Sequence, residues 1–219
     1  MSPGTRPKRL GRPPAIDSAE TRQKILEAAR RAFARKGYDA TTNKDIAEDV
    51  GITTGAIYHY FASKADLYVA VYEEVQEAIY EVFEKSVAPY VEFPDRLAAA
   101  LDAAVQINQR DSSIAGFVVG VPDERARHEH LRDRIARLQS RSRTFFGGLV
   151  EDAKQRGEIA PDVNPEAVND MLTAITSGLA RFSTQVDAGR HKEAAEALKR
   201  LIEGSLIVPA RRRGTRAAR

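Results

Sequence analysis

Apolar residues recur at three- and four-residue intervals along most of this chain. The sets are Ile25, Ala29 and Phe33; Leu67, Val71, Val75, Ile79 and Phe83; Leu131, Ile135, Leu138, Phe145 and Leu149; and Val168, Leu172, Ile175, Leu179, Phe182 and Val186. That period puts each set on one helical face, and no stretch alternates strictly enough to predict a sheet. Residues that end helices fall between the sets, at Gly37, Gly51, Pro89, Pro94, Pro122, Gly157, Pro161, Pro165 and Gly189. The pattern therefore predicts about nine helices between Asp17 and Ile207. Up to Ser63 they are short and tightly connected, whereas from Lys64 onward they reach roughly 20 residues. An all-α chain follows, with a three-helix head over residues 17–66, a larger bundle over 67–208, and flanking segments at 1–16 and 209–219.

Composition narrows the possibilities. The 219 residues contain no cysteine, which removes disulfides, thiolate metal sites and cysteine nucleophiles. No apolar run approaches the roughly 20 residues that span a bilayer, and the basic N-terminus lacks the apolar stretch and cleavage site of a secretory signal. A cytoplasmic protein with no membrane partner is expected. The net charge of +3 is unevenly distributed: residues 1–16 carry +4, residues 209–219 carry +5, and residues 17–208 carry −6. Such tails suit a polyanionic partner through counterion release, and they equally suit solubilising disorder.

Within the head, Thr41 to Phe61 fits a helix, a tight turn and a second helix. Thr42 and Asp45 are placed to cap the first helix, Ile46, Ala47 and Val50 form its inward stripe, and Gly51 supplies a left-handed end. Thr53 caps the second helix, on which Ile57 and Phe61 face inward while Thr54, Gly55, Tyr58 and His59 face elsewhere. A short helix with small polar residues at its start is what a DNA major groove admits. Ser63 caps the next helix, and Lys64 in its first turn sits at the positive end of the helix dipole, where a bound phosphate would give it a reason to be. Upstream, Lys8-Arg9-Leu10-Gly11-Arg12-Pro13-Pro14 has the form of an AT-hook core, in which Arg9 and Arg12 enter an A·T minor groove. A disordered leader would read the same way.

The run from Thr21 to Leu67 resembles the N-terminal domain of the TetR family of one-component transcriptional regulators. Gly51-Ile52, Gly55-Ala56-Ile57-Tyr58, Tyr60-Phe61, Lys64 and Leu67 carry the resemblance. It implies that Thr42 and Lys44 lie at the DNA, with Lys44 facing the groove, and that Thr53, Thr54, Gly55 and Ala56 form the DNA-facing start of the recognition helix. It also implies that Tyr58, His59, Tyr60 and Lys64 touch phosphates. The sequence departs from a strongly basic recognition helix, having no Arg or Lys from Ile52 to Ser63.

A helix-turn-helix monomer reads few base pairs, so a homodimer on a palindromic double-stranded operator is expected. The last two long helices are the dimer candidates, through Ala174, Gly178, Arg181 and Phe182 on one and Leu198, Leu201, Ile202 and Leu206 on the other. The resemblance implies a four-helix interface there, although such stripes also fill monomer cores. The bundle should hold a pocket for a small, mostly hydrophobic effector, with Phe83, Phe93, Leu97, Leu101, Asn108, Phe117, Arg143, Phe146, Leu172 and Ile175 as candidate lining. The glycine-interrupted run Ile114 to Val121 is a candidate moving element. Binding of such an effector is expected to release DNA, making the protein a repressor.

Two rivals belong to other classes. An architectural protein could bind A·T-rich DNA through the tails alone. An enzyme would draw on His128, Glu129 and His130, but residues two apart on one helix diverge and cannot clamp one metal. The expectation is no catalytic residue, no resident metal and no cofactor.

Overall fold

Local caps decide where the short helices begin. Thr42 Oγ1 accepts from the Asp45 amide at 3.1 Å while the Asp45 carboxylate accepts from the Thr42 amide at 3.3 Å, satisfying amides that any helix start leaves open. Thr53 Oγ1 accepts from Ala56 at 3.2 Å, and Ser63 Oγ from Asp66 at 3.1 Å. Gly51 closes the first short helix at φ 77° and ψ 32°, a left-handed conformation that any side chain would strain.

The computed structural model describes residues 15–138 and 140–206. They form α1 (Ala15–Ala40), α2 (Asn43–Val50), α3 (Thr54–Tyr60), α4 (Lys64–Val87), α5 (Phe93–Arg110), α6 (Ser112–Arg127), α7 (Glu129–Ala136), α8 (Arg141–Gln155), α9 (Pro165–Ser183) and α10 (Ala188–Ile202). The described residues are thus all-α, and none of these helices is long and apolar enough to cross a membrane. Among the described residues ten helices stand where the pattern predicts about nine. One difference is at Pro122, which was expected to end a helix but lies inside α6. Its fixed φ is compatible with the helix, which loses the amide hydrogen bond at that residue and has the ring crowd the carbonyl four residues earlier. The break falls instead at His128, with φ −123° and ψ 101°.

Two cores form, and α4 runs through both. In the first, Ile25, Ala29 and Phe33 of α1, Ile46 of α2, Ile57 of α3 and Leu67 and Val71 of α4 meet Phe117 and Val121 of α6 and Leu131 and Ile135 of α7. In the second, Tyr80, Phe83 and Val87 of α4 meet Leu97 and Ala100 of α5, Phe145, Phe146 and Leu149 of α8 and Leu172 of α9. Burying each large apolar side chain contributes about 1.5–3 kcal/mol. The head helices therefore share their core with α6 and α7.

The α1–α6 contact is close enough to favour glycine. A Cβ at Gly116 would lie 3.3 Å from the Ala34 Cβ, so the glycine lets the two helices approach. At the same junction Arg30 of α1, 8% exposed, donates to Ser113 Oγ at 3.1 Å and to Asp111 Oδ2 at 2.5 Å, with Glu74 of α4 at 3.6 Å. A guanidinium can be buried there because carboxylates on two other elements surround it.

Phe117 is 2% exposed and sits between Phe33 and Tyr68, with ring centroids 6.4 Å and 5.1 Å away. Phe117→Ala is expected to destabilise the protein by about 3–5 kcal/mol in urea unfolding; a loss below about 1 kcal/mol would mean that this ring is not a packing centre of the head core.

Candidate functional site

The helix-turn-helix presents a neutral edge on an apolar anchor. Ile57 is 0% and Phe61 4% exposed, so the inward face of α3 is fixed by packing, and Tyr60 packs half-buried against the same core. Thr53, Gly55, Tyr58 and His59 are exposed, with Thr54 and Ala56 half-buried beside them. Tyr58 is 54% exposed, unusual for a large ring with no interior role. A Cβ at Gly55 would meet only Thr53 Oγ1 at 3.9 Å, so nothing among the described residues requires glycine there. Lys44 projects from α2 and reaches only Glu48 at 3.8 Å, a surface pair of small strength. By contrast Lys36 holds Asp45 at 3.3 Å. That contact, together with the Thr42 amide, keeps the Asp45 carboxyl below its ordinary range. Thr42 is exposed at its capping position. Arg9 and Arg12 lie outside the described residues.

Lys64 has a different reason for its position from the one expected. Its ammonium donates to the carbonyls of Tyr38 at 2.8 Å, Thr41 at 3.0 Å and Asp39 at 3.4 Å, and it lies 4.3 Å from the Tyr38 ring centroid. Three ammonium donors meet three acceptors, so the carbonyl-rich end of α1 offsets the dipole of α4 in the place of a phosphate. Those carbonyls face Lys64 because Gly37, at φ 75° and ψ 176°, breaks the helical course of α1. From the opposite side, Glu124 Oε1 of α6 accepts from the Tyr38 amide at 3.0 Å. Asp66 of α4 meets Arg134 of α7 at 2.5 Å, and its hydrogen bond from Ser63 and then that guanidinium hold its carboxyl below the ordinary range.

A cavity of about 380 Å³ opens between α4, α5, α6 and α9. Tyr72, Ile79, Tyr80, Phe83, Leu101, Ile107, Ile114, Val118, Val119 and Leu179 give it apolar walls, and Gln76, Asn108, Arg125, Ser142, Thr173, Thr176 and His191 give it polar points. Of the ten expected lining residues, Phe83, Leu101 and Asn108 reach it. Phe93, Leu97, Phe146 and Leu172 pack in the second core and Phe117 in the first. Arg143 is exposed, 3.9 Å from Asp170, and Ile175 is half-buried on α9 outside the cavity wall. The five core residues are taken up in helix–helix contacts, and position along each helix as well as phase decides which of their neighbours face the hollow.

Sequence reasoning missed most of the polar points. Thr173 and Thr176 were detectable as polar interruptions of an otherwise apolar face. His191 gives no such signal, since only packing turns that part of α10 toward the cavity. His191 is 3% exposed; its ring hydrogen-bonds to the Leu179 backbone, Nδ1 has no hydrogen-bond partner, and burial lowers its pKa. An uncharged ring is thus left in the cavity wall with one buried, unpartnered nitrogen.

The outer faces of α9 and α10 carry the remaining expected positions. Ala174, Gly178, Arg181, Leu201 and Leu206 are exposed, and Phe182, Leu198 and Ile202 are half-buried. Met171 on α9 at 51% and Leu201 on α10 at 48% exposure are large apolar side chains that a single chain leaves in water.

Comparison with known proteins agrees with this arrangement. Residues 25–71 match the family described as bacterial regulatory proteins, tetR family, and residues 94–198 match the tetracyclin repressor-like C-terminal domain. The HTH-type transcriptional regulator UidR of Escherichia coli (strain K12) is 26% identical over 190 residues, covering 87% of this chain and 95% of that protein. The HTH-type transcriptional regulator TtgR of Pseudomonas putida is 48% identical over 61 residues, 28% of this chain and 29% of its own length. Among solved structures, Salmonella enterica GusR superposes with a TM-score of 0.69 at 27% identity, covering 91% of this chain and 99% of that one.

Because its three donors are taken, Lys64→Met is expected to lower the thermal midpoint by several degrees while leaving the salt dependence of DNA binding unchanged. A direct phosphate contact would instead reduce the slope of log K against log salt by about 1, and that result would return Lys64 to the DNA.

Proposed function

The chain belongs to the TetR family of transcriptional regulators, and from this we propose that it represses transcription as a homodimer on a palindromic operator and is released by a small, mostly apolar effector. Members of this family are regulators rather than enzymes. The observation that carries the proposal is the neutral edge of α3, where Thr53, Gly55, Tyr58 and His59 are exposed on a helix anchored by Ile57 and Phe61. Glycine within a helix costs about 1 kcal/mol relative to alanine, and Gly55 has no packing reason. Close approach of DNA to the α3 backbone supplies one.

Residues 17–66 act as the reading head and 67–208 as the effector-binding and dimerisation part in this proposal. Thr42, Lys44, Thr53, Thr54, Gly55 and Ala56 meet the groove, and Tyr58, His59 and Tyr60 meet the backbone. Because α3 brings no Lys or Arg, charge comes from Lys44 and from the basic segments 1–16 and 209–219, with Arg9 and Arg12 in a minor groove. The protein acts where its operator is, in the cytoplasm.

Dimerisation is assigned to the exposed apolar face of α9 and α10, since two-fold pairing there would cover Met171, Leu201 and Leu206. The effector occupies the cavity, with apolar walls contributing affinity and Asn108, the threonines and His191 Nδ1 fixing orientation. Coupling runs through two helices. α6 lines the cavity with Ile114, Val118 and Val119 and packs on α1 through Gly116 and Phe117; α4 lines it with Tyr72 and Tyr80 and enters the head at Leu67. DNA demands recognition helices about 34–36 Å apart, so an effector that favours another α6 or α4 position must weaken DNA binding by the same coupling factor.

Selection of binding sites from random duplex DNA is expected to return an inverted repeat; A·T-rich sites without symmetry would overturn the dimeric reading in favour of an architectural one. A second check is Gly178→Arg, because a Cβ at Gly178 meets nothing within 4 Å among the described residues. The variant should keep its thermal midpoint, sediment as a monomer and bind operator about tenfold or more weaker; a dimer as stable as the parent would place the interface elsewhere.

A further inference from the structure

We propose that Asp39, Glu124 and His128 form a binding site for a first-row divalent cation, zinc being the probe of choice, between the end of α1 and the end of α6. The expected divergence of the histidines assumed that they share a helix. His128 instead has extended backbone between α6 and α7, and the rings of His128 and His130 lie 5.6 Å apart. His128 Nε2 is 3.1 Å from Asp39 Oδ1 and 3.4 Å from Glu124 Oε2, and ligand atoms of all three residues lie within 4.8 Å of one another. A tetrahedral ion with bonds of about 2.1 Å separates its ligands by roughly 3.4 Å. The two histidine edges are therefore already at metal-site length, and small side-chain rotations close the third.

Proton counting points the same way. One imidazole nitrogen faces two carboxylates, and the single proton it can carry serves one of them. Glu124 is 4% exposed, and its Oε2, aimed at His128, has no hydrogen-bond partner. An orphaned buried carboxylate oxygen is costly, and a dication would bind it together with Asp39 and neutral His128. Glu124 is held for this by its other oxygen, which accepts from the Tyr38 amide at 3.0 Å and from Arg127 at 2.9 Å, the outer-shell support that metal ligands require. The nearby cations are engaged, Arg127 by that oxygen and Lys64 by backbone carbonyls. The Asp39 side chain is 64% exposed, leaving an entry path and room for water as a fourth ligand. One imidazole with two carboxylates suits zinc and its neighbours rather than calcium or magnesium.

An ion here would fasten the Gly37–Thr41 turn to α6; only this consequence rests on the regulatory reading, whereas binding itself does not. The test is calorimetric titration of the full-length protein with zinc chloride in a non-chelating buffer, without DNA. One ion per chain is expected, with a rise in thermal midpoint on binding. His128→Gln and Asp39→Asn should each weaken binding by about tenfold or more and abolish the zinc-dependent rise in midpoint. Absence of saturable binding, or parental affinity in a folded variant, would overturn the site. If circular dichroism shows that one variant does not fold, the other decides, since Asp39 is exposed and His128→Gln keeps a polar side chain.

Discussion

Five residues from Gly37 to Thr41 fix how the head sits on the bundle. Once Gly37 takes a positive φ, the turn exposes carbonyls to one side and the Tyr38 amide to the other. Lys64 at the start of α4 takes the carbonyls, and Glu124 near the end of α6 takes the amide. A side chain at Gly37 would be strained at that φ and would place its Cβ 3.1 Å from Glu124 Oε1. Backbone polar groups that would otherwise be buried without partners thus become the joint between α1, α4 and α6. About two turns earlier in α1, Arg30 ties the same helix to the α6 N-terminus through the side chains of Asp111 and Ser113.

That joint explains why the reading head cannot be treated as a free module. Phe117 and Val121 of α6 complete the core under Ile25, Phe33 and Leu67, while Val118 and Val119 on the same helix face the cavity. A helix packed on both sides moves as a unit, because close-packed interiors transmit displacement rather than absorb it. The two glycines of the Ile114 to Val121 run differ in their surroundings. Gly116 lets α6 approach α1, whereas a Cβ at Gly120 would meet nothing within 4 Å.

Charge is separated from shape across the head. α3 carries form, with a threonine cap, a bare glycine and an exposed tyrosine, and the cations of the head lie on neighbouring elements. Most of them are engaged internally: Lys36 with Asp45, Arg31 with Asp49, and Lys64 with carbonyls. Lys44, held only at 3.8 Å by Glu48, is the least committed of these four.

Periodicity, caps and turn residues determined the helical class, the helix-turn-helix between Thr42 and Phe61, and the starts at Thr53 and Ser63. These depend on interactions spanning a few residues, which the local sequence contains in full. The same logic failed at Pro122 and His128, where neighbouring helices decide where a helix can end. It failed more widely in the cavity, since apolar periodicity identifies a buried face but not whether that face meets another helix or a hollow; Leu97 and Leu101 share one face of α5, yet only Leu101 lines the cavity. The partners of Lys64, the open nitrogen of His191 and the convergence of Asp39, Glu124 and His128 join residues far apart in the chain. Only packing brings them together, because those contacts are set by how helices stack and not by the spacing along any one of them.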